Sequence, residues 1–332
     1  EKHMSNRPLV SIVIPCRNEE KFIGKCLDSI IANNYPSDKL EVLVIDGMSS
    51  DWTREVVKNI AEGYKFIKLL DNMNRTTPVA LNIGIKNAKG DVIIILSAHS
   101  TLTPNFVVKN IEYLQKTEAN CVGGVMLTVD STSFIGKAIS LVISSPFGVG
   151  NSLFRIGVKK PTYVDTVPFG AYRKEVFDQV SLFNENLVRN QDIEFNLRLK
   201  NAGGKVLLVP DIISYYHARS NLKSLARNNF LNGFWVIYST KFAKLPFSIR
   251  HLVPFTFVSF LLGSFVISFL YKPFIYLLAF IISTYMITNI SFSLLTCLKK
   301  DLKYLPFLVV SFFTLHFSYG LGSLWGIVKL IT

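Results

Sequence analysis

The chain has 332 residues, 49% of them hydrophobic, and a formal net charge of +13. That length suits one large domain with an appendage, or two modest domains. The basic residues are dispersed, with a gathering between Arg219 and Arg250 beside an apolar tail, which suits an anionic membrane surface and argues against nucleic acid as the partner. Cys16, Cys26, Cys121 and Cys297 lack metal-ligand spacing and read as free thiols in a reducing compartment.

In chain order, Glu1-Lys2-His3-Met4 reads as a cloning remnant, and no cleavable signal peptide is expected ahead of the first strand. Leu9–Pro15 predicts a buried strand. A helix follows, with Phe22, Ile23, Cys26, Leu27, Ile30 and Ile31 at helical spacing. Leu40–Asp46 is the second strand, and Ser50 or Asp51 caps a helix through Val56, Val57 and Ile60. Phe66–Leu70 is the third strand, Pro78–Asn87 a helix and Asp91–Leu96 a fourth, fully buried strand. This alternation predicts an α/β domain with a mostly parallel, Rossmann-like sheet covered by helices. Ligands of such sheets lie beyond the carboxyl ends of the strands. Three polar clusters fall there: Arg17-Asn18-Glu19, Asp46-Gly47 and Ser97-Ala98-His99-Ser100. Neither G-x-G-x-x-G nor a G-x-x-x-x-G-K loop occurs, so a nucleotide would be held mainly by side chains and a metal.

From Leu252 onward the chain is overwhelmingly apolar. Leu252–Leu270, Phe274–Leu298 and Leu305–Leu330 are each long enough for a ~30 Å hydrocarbon core, which takes about 20 helical residues. Lys241, Lys244, Arg250 and His251 precede the first stretch, and Lys299, Lys300 and Lys303 join the second to the third. Three spans put these two regions on one side, with only Lys272 and Lys329 on the other. The positive-inside bias then places the N-terminal domain in the cytosol, at the cell membrane.

The blocks SIVIPCRNEEKFIGKCLDSI, EVLVIDGMSSDWT and ALNIGIKNAKGD, in this order and spacing, resemble the inverting family-2 glycosyltransferases of the GT-A fold. Downstream, VPFGAYRKEVFDQVSLFNENLVRNQDIEFNLRLKNAGGKV resembles the acceptor side of that family, closest to the membrane-anchored succinoglycan-biosynthesis type. The resemblance implies a GT-A domain over residues 5–220, interfacial helices over 221–250 and a transmembrane domain over 251–332. It implies transfer from a nucleotide sugar, UDP-linked by expectation, to a polyprenyl-diphosphate-type acceptor in surface polysaccharide or glycolipid assembly. A processive polysaccharide synthase and a non-catalytic scaffold with a degenerate transferase fold are the competing readings.

By the same resemblance Pro15, Arg17, Glu19, Asp46, Arg75, Ser97 and Ala98 line the donor pocket. Glu19 has an alternative role in complementing a helix dipole, Asp46 as a turn residue, and Arg75 as an exposed loop arginine. Asp192 in Asn190-Gln191-Asp192 falls at the family's base, which removes the proton of the attacking acceptor hydroxyl. Its alternative is to cap a helix over Ile193–Ala202, and Glu194 ranks second as base. Asn190, Gln191 and Arg227 fall on the acceptor or diphosphate side, although Arg227 also reads as a lipid-facing cation. Within Asn221–Ala243, Leu222, Leu225, Phe230, Phe234 and Trp235 alternate with Lys223, Arg227 and Lys241, as in interfacial helices.

Family members carry Asp-x-Asp after the fourth strand, and the succinoglycan type Asp-Ala-His; here the string is Ser97-Ala98-His99. Imidazole suits Mn²⁺ better than Mg²⁺. The expected cofactor is therefore a divalent cation, Mn²⁺ ahead of Mg²⁺, on His99. His217 is a second candidate ligand or a hydrogen-bonded structural histidine.

Overall fold

The computed structural model describes residues 7–129, 133–217, 221–243 and 249–332. The opening tetrapeptide, Arg219 and Lys244 lie outside the described residues. Packing divides the chain into two units, residues 1–127 with 157–217, and residues 128–156 with 218–332. Residues 128–156, expected inside a continuous 5–220 domain, thus pack with the C-terminal helices.

In the first unit, four parallel strands are β1 (Val10–Cys16), β2 (Leu40–Asp46), β3 (Ile67–Asp71) and β4 (Val92–Ile95). The helices between them are α1 (Ile23–Ile31), α2 (Thr53–Gly63) and α3 (Thr77–Asn87). β2 is buried at every position and β1 at all but Pro15, as expected of strands covered on both faces. One sheet runs in the order β3-β2-β1-β4-β8-β6-β9-β5, adding β5 (Ser100–Leu102), β6 (Cys121–Val129), β8 (Ala171–Arg173) and β9 (Val206–His217), with β7 (Thr162–Val164) beside β9. β8 runs antiparallel to β4 and to β6. The sheet is therefore mixed beyond the parallel quartet. α4 (Phe106–Lys116) packs on β9; α8 (Glu175–Gln179) and α9 (Gln191–Asn201) complete the unit.

α3 lies close on the sheet because Gly84 has no side chain. A Cβ there would run into Val13 Cγ1 and come within 2.9 Å of Ile45 Cδ1. Asn82, on the same helix and 4% exposed, donates to the carbonyl of Phe183 and to Glu185 Oε1 and accepts from Phe183 N, all at 2.9 Å. A wholly satisfied buried amide of this kind fixes one segment against another. Here it ties α3 to the chain leading into α9.

The second unit is helical. It comprises α5 (Phe134–Val142), α6 (Pro146–Val149), α7 (Leu153–Ile156), α10 (Leu222–Tyr238), α11 (Ile249–Ser268), α12 (Phe274–Leu298) and α13 (Leu305–Ile331). Three helical segments, Arg250–Ser268, Phe274–Leu298 and Leu302–Ile331, are long and apolar enough to cross a membrane. Asn221–Ala243, expected as interfacial helices, contains α10, whose Gly233 meets the Tyr319 carbonyl of α13; Gly322 and Gly326 of α13 meet backbone of α10 in turn. Small residues at such crossings let helix backbones touch. His316, the one histidine of the third apolar stretch, is held by the Phe147 carbonyl at 2.8 Å and the Tyr285 hydroxyl at 3.1 Å.

Candidate functional site

β1, β2 and β3 end level with one another, with Cys16 paired to Asp46 and Asp46 to Asp71. The loops leaving these strands share an uncommon conformation. Asn18, Met48 and Arg75 have φ of 56°, 55° and 61°, and Asn190 ahead of α9 has 61°. Left-handed backbone costs a non-glycine residue roughly 1–2 kcal/mol and concentrates at functional sites.

Hydrogen bonds between the first two loops hold this geometry. Asn18 N donates to Ser49 Oγ at 2.8 Å, Ser50 N to Asn18 Oδ1 at 2.9 Å, Glu19 N to Thr53 Oγ1 at 2.7 Å and Glu20 N to Asp51 Oδ2 at 3.2 Å. Asp51 Oδ1 also accepts from Thr53 N at 3.0 Å, so Asp51 supports the start of α2 from just outside it. Arg17 is exposed and packs over Gly47, where a Cβ would lie 3.3 Å from its side chain. Pro15 is half-buried and Arg75 exposed.

Asp46 is fully buried. One oxygen accepts from the Ser49 hydroxyl and, at 3.8 Å, from Cys16 Sγ; the other accepts from Ser49 N at 2.9 Å and Arg54 Nη1 at 2.8 Å. The same Arg54 nitrogen lies 2.8 Å from Asp71 Oδ1, and the two carboxylates hold the guanidinium pKa above its ordinary value. Burial pushes the Cys26 thiol up to about 12, with the Glu19 charge adding to it, and raises Cys16 further still, with Asp46 next. All four cysteines are free.

After β4, Ser97 is half-buried and receives His99 N at 3.4 Å, while Ala98 is buried in the core. His99 Nε2 lies 2.8 Å from Glu19 Oε1, and its ring centroid is 4.7 Å from that of Phe22. His217 N donates to the His99 carbonyl at 3.1 Å, and its own ring lies 5.8 Å from Phe22. Burial, then the neighbouring Lys25 and His99, hold the His217 pKa below its ordinary value. Glu19 and His99 thus converge as an oxygen and a nitrogen donor of the kind Mn²⁺ accepts. Among the described residues no third His, Cys, Asp or Glu joins them in a ligand group. That pair fits a cation completing its shell with diphosphate oxygens and water.

The α9 block separates its carboxylates by role. The residue preceding α9 is Asn190, and Asp192 sits inside the first turn, so the capping alternative for Asp192 does not apply. Asp192 is exposed in the first turn of the helix. Glu194 is 6% exposed and pairs with Arg198 at 2.7 Å; Arg198 also binds the carbonyls of Val180, Ser181 and Leu182. Glu194 is therefore structural. Asn190 Nδ2 and Gln191 Oε1 are buried atoms without a hydrogen-bond partner. Arg227 lies exposed on α10 in the second unit.

Residues absent from the sequence expectations are Arg54, Asp71 and Asn82. Two left a trace: a cation in the first turn of a helix opposes the dipole and needs a partner, and Asn82 falls between apolar Leu81 and Ile83 on the buried side of α3. Asp71 left none.

Over 283 residues the chain is 34% identical to a Methanococcus voltae protein, covering 83% of this chain and 86% of that one. That relative is the dolichyl N-acetyl-alpha-D-glucosaminyl phosphate 3-beta-D-2,3-diacetamido-2,3-dideoxy-beta-D-glucuronosyltransferase. This chain is also 29% identical over 216 residues to the succinoglycan biosynthesis protein ExoA of Rhizobium meliloti, covering 64% of each chain. Among solved structures it resembles the Pyrobaculum calidifontis mannosyltransferase PcManGT in complex with GDP-Man and Mn²⁺, with a TM-score of 0.61, 16% identity and coverage of 98% of this chain and 88% of that one. The fold is thus that of GT-A enzymes. Residues 11–181 match Glycosyl transferase family 2, and the chain belongs to that family of glycosyltransferases.

Proposed function

We propose that this glycosyltransferase moves a sugar, with inversion, from a nucleoside-diphosphate donor to a hydroxyl of a polyprenyl-linked lipid acceptor. The catalytic domain faces the cytosol and the apolar helices anchor it in the cell membrane. The donor lies over the ends of β1–β4, between Arg17, Asp46 and Arg75 and the Glu19–His99 pair. UDP is the expected carrier, in keeping with TarS, a fold neighbour solved with UDP-GlcNAc at a TM-score of 0.53. The lipid acceptor is supported by the dolichyl-linked substrate named for the Methanococcus relative. A cation on Glu19 and His99, when bound, offsets charge on the departing diphosphate.

The observation that carries the reading is the contrast within α9. Glu194 is buried and paired with Arg198, whereas Asp192 is exposed in the first turn of the block that resembles the family's base-bearing one. Asn190 and Gln191, next to Asp192 in the chain, fall on the acceptor or diphosphate side. Asp192 takes the attacking hydroxyl's proton as its oxygen bonds the anomeric carbon, and the bond to the diphosphate breaks on the opposite face. The leaving diphosphate needs no general acid.

The test is Asp192→Asn in the full chain purified in detergent, assayed with nucleotide sugars and a polyprenyl-phosphate-linked saccharide. Turnover is expected to fall by about 10²–10⁴-fold, with UDP affinity unchanged. Loss of the first-turn charge shifts stability by only about 0.3–1 kcal/mol. Transfer at the wild-type rate would remove Asp192 from the reaction.

A further inference from the structure

We propose that residues 134–149 form a re-entrant element that dips into the bilayer beside α12 and α13, with Phe147 at its tip and His316 satisfying the tip's backbone. The assignment rests on the membrane anchoring proposed above and adds a fourth embedded element to the three long helices.

α5 and α6 pack on the long helices of their own unit. Phe134, at the start of α5, stacks on Phe307 at 6.0 Å and lies 5.9 Å from Lys303 Nζ, level with the loop that joins α12 to α13. Further on, Ala138 and Val142 are fully buried in one cluster with Leu308, Phe312 and Leu315. The Phe147 ring then lies 4.7 Å from Phe292 of α12, 4.9 Å from Phe312 of α13 and 4.7 Å from the His316 ring. The segment thus enters at the charged ends of the two helices and runs along them.

Helix lengths set the depth. α12 has 25 residues and α13 has 27, or about 37 and 40 Å at about 1.5 Å per residue. Hydrocarbon takes up ~30 Å of each. His316 lies roughly 16 Å in from Leu305, and Tyr285 roughly 20 Å in from Leu298. Placing the entire excess length on this side still leaves His316 roughly 6 Å and Tyr285 roughly 12 Å beneath the hydrocarbon boundary. The end of α12 agrees, since Leu294, Leu295 and Leu298 are exposed there, as lipid-facing side chains must be.

At that depth irregular backbone survives only if its polar groups find partners in the protein. α6 is a single turn, and its last carbonyls have no partner within the helix. The carbonyl of Phe147 is met by His316 Nε2 at 2.8 Å, and Phe147 N donates to Ser145 Oγ at 3.3 Å. A carbonyl only accepts, so Nε2 carries the proton, and Nδ1 of the neutral ring accepts from the Tyr285 hydroxyl at 3.1 Å. This accounts for a titratable side chain partway along α13. The chain turns back at Gly150, where φ is 61° and a Cβ would come within 2.8 Å of Arg250 Cβ, at the start of α11. A cation there suits the headgroup level to which the segment returns.

The experiment uses the full chain without its four native cysteines, in lipid nanodiscs, with a nitroxide on Leu141→Cys or Pro146→Cys. Electron paramagnetic resonance measures relaxation by oxygen, which enters hydrocarbon, and by a water-soluble nickel chelate, which does not. Ile282→Cys, exposed on α12, is the embedded control, and Lys58→Cys, exposed on α2, the aqueous one. Leu141 and Pro146 are expected to lose nickel relaxation as Ile282 does, while Lys58 keeps it. His316→Phe, which removes the donor, should sharpen the Pro146 spectrum or restore its nickel relaxation and leave Ile282 unchanged. His316→Gln, whose amide can donate, should resemble the parent. A Pro146 signal unaltered by His316→Phe would overturn the role of His316. Nickel relaxation at Leu141 and Pro146 equal to that at Lys58 would overturn the embedding and leave the anchoring standing. Nickel relaxation at Ile282 as well would overturn both.

Discussion

At the scale of single residues, the proposed metal side of the site turns on Ser97 and His99. Where relatives of the succinoglycan type have an aspartate, Ser97 provides only a hydroxyl that receives the His99 amide. His99 meets Glu19 at 2.8 Å, so a carboxylate does reach this corner, from the loop after β1. An imidazole in the coordination shell favours Mn²⁺ over Mg²⁺. Calorimetric titration with UDP is expected to give tighter binding in Mn²⁺ than in Mg²⁺, and His99→Ala should erase that difference. Equal UDP affinity in the presence of a chelator would take His99 out of the metal site. His217 belongs to the same corner through its backbone N–H, which donates to the His99 carbonyl as any residue but proline could.

At the scale of elements, the site depends on how closely α3 sits on the sheet. Alanine at position 84 would gain about 1 kcal/mol of helix propensity over glycine. Its Cβ, however, would meet Val13 and Ile45, which lie in fully buried strand positions. Overpacking of a filled core costs typically ~1–3 kcal/mol, and the stiff, β-branched Val13 cannot rotate away at low cost. The clash therefore outweighs the propensity. Gly84→Ala is expected to lower the melting temperature of the detergent-solubilised protein by roughly 2–6 °C, on the scale of 2–4 °C per kcal/mol for domains of this size. An unchanged or raised melting temperature would show that α3 can lift off the sheet freely. α9 makes a related point. Asn190 precedes it in a left-handed conformation, and Asp192 lies inside the first turn as an exposed residue.

At the scale of the whole molecule, topology follows from charge. The described cations Lys299, Lys300 and Lys303 sit between two apolar helices each long enough to span a bilayer. The excess of lysine on this loop over Lys272 and Lys329 is the ground for proposing that it lies on the cytosolic side. In intact cells expressing a variant without its four native cysteines, Lys300→Cys should resist a membrane-impermeant thiol reagent and react after permeabilisation. Efficient labelling from outside would reverse the topology and with it the cytosolic placement of the transferase domain. The native cysteines are buried, and replacing them with serine or alanine tests how much the two units depend on them.

Local pattern was enough to locate β1 to β4 within a residue or two, because a strand covered on both faces needs an unbroken apolar run such as LEVLVID, and helix spacing marks what lies between. Three long, almost uncharged stretches were equally legible, since crossing hydrocarbon disfavours charge over about 20 residues. Asp192 was legible as a candidate through its block. What periodicity does not carry is distance between residues far apart in the chain. Asp71 reaches Arg54, Glu19 reaches His99 and Asn82 reaches Phe183 only once the strands are laid side by side. The left-handed turns at Asn18, Met48 and Arg75 are likewise invisible in residue type, because none is glycine; their conformation is held by contacts made after folding. Residues 128–156 were read with the strands on either side of them, yet they pack with the C-terminal helices. Neighbours in sequence share a unit only when their apolar faces meet the same core.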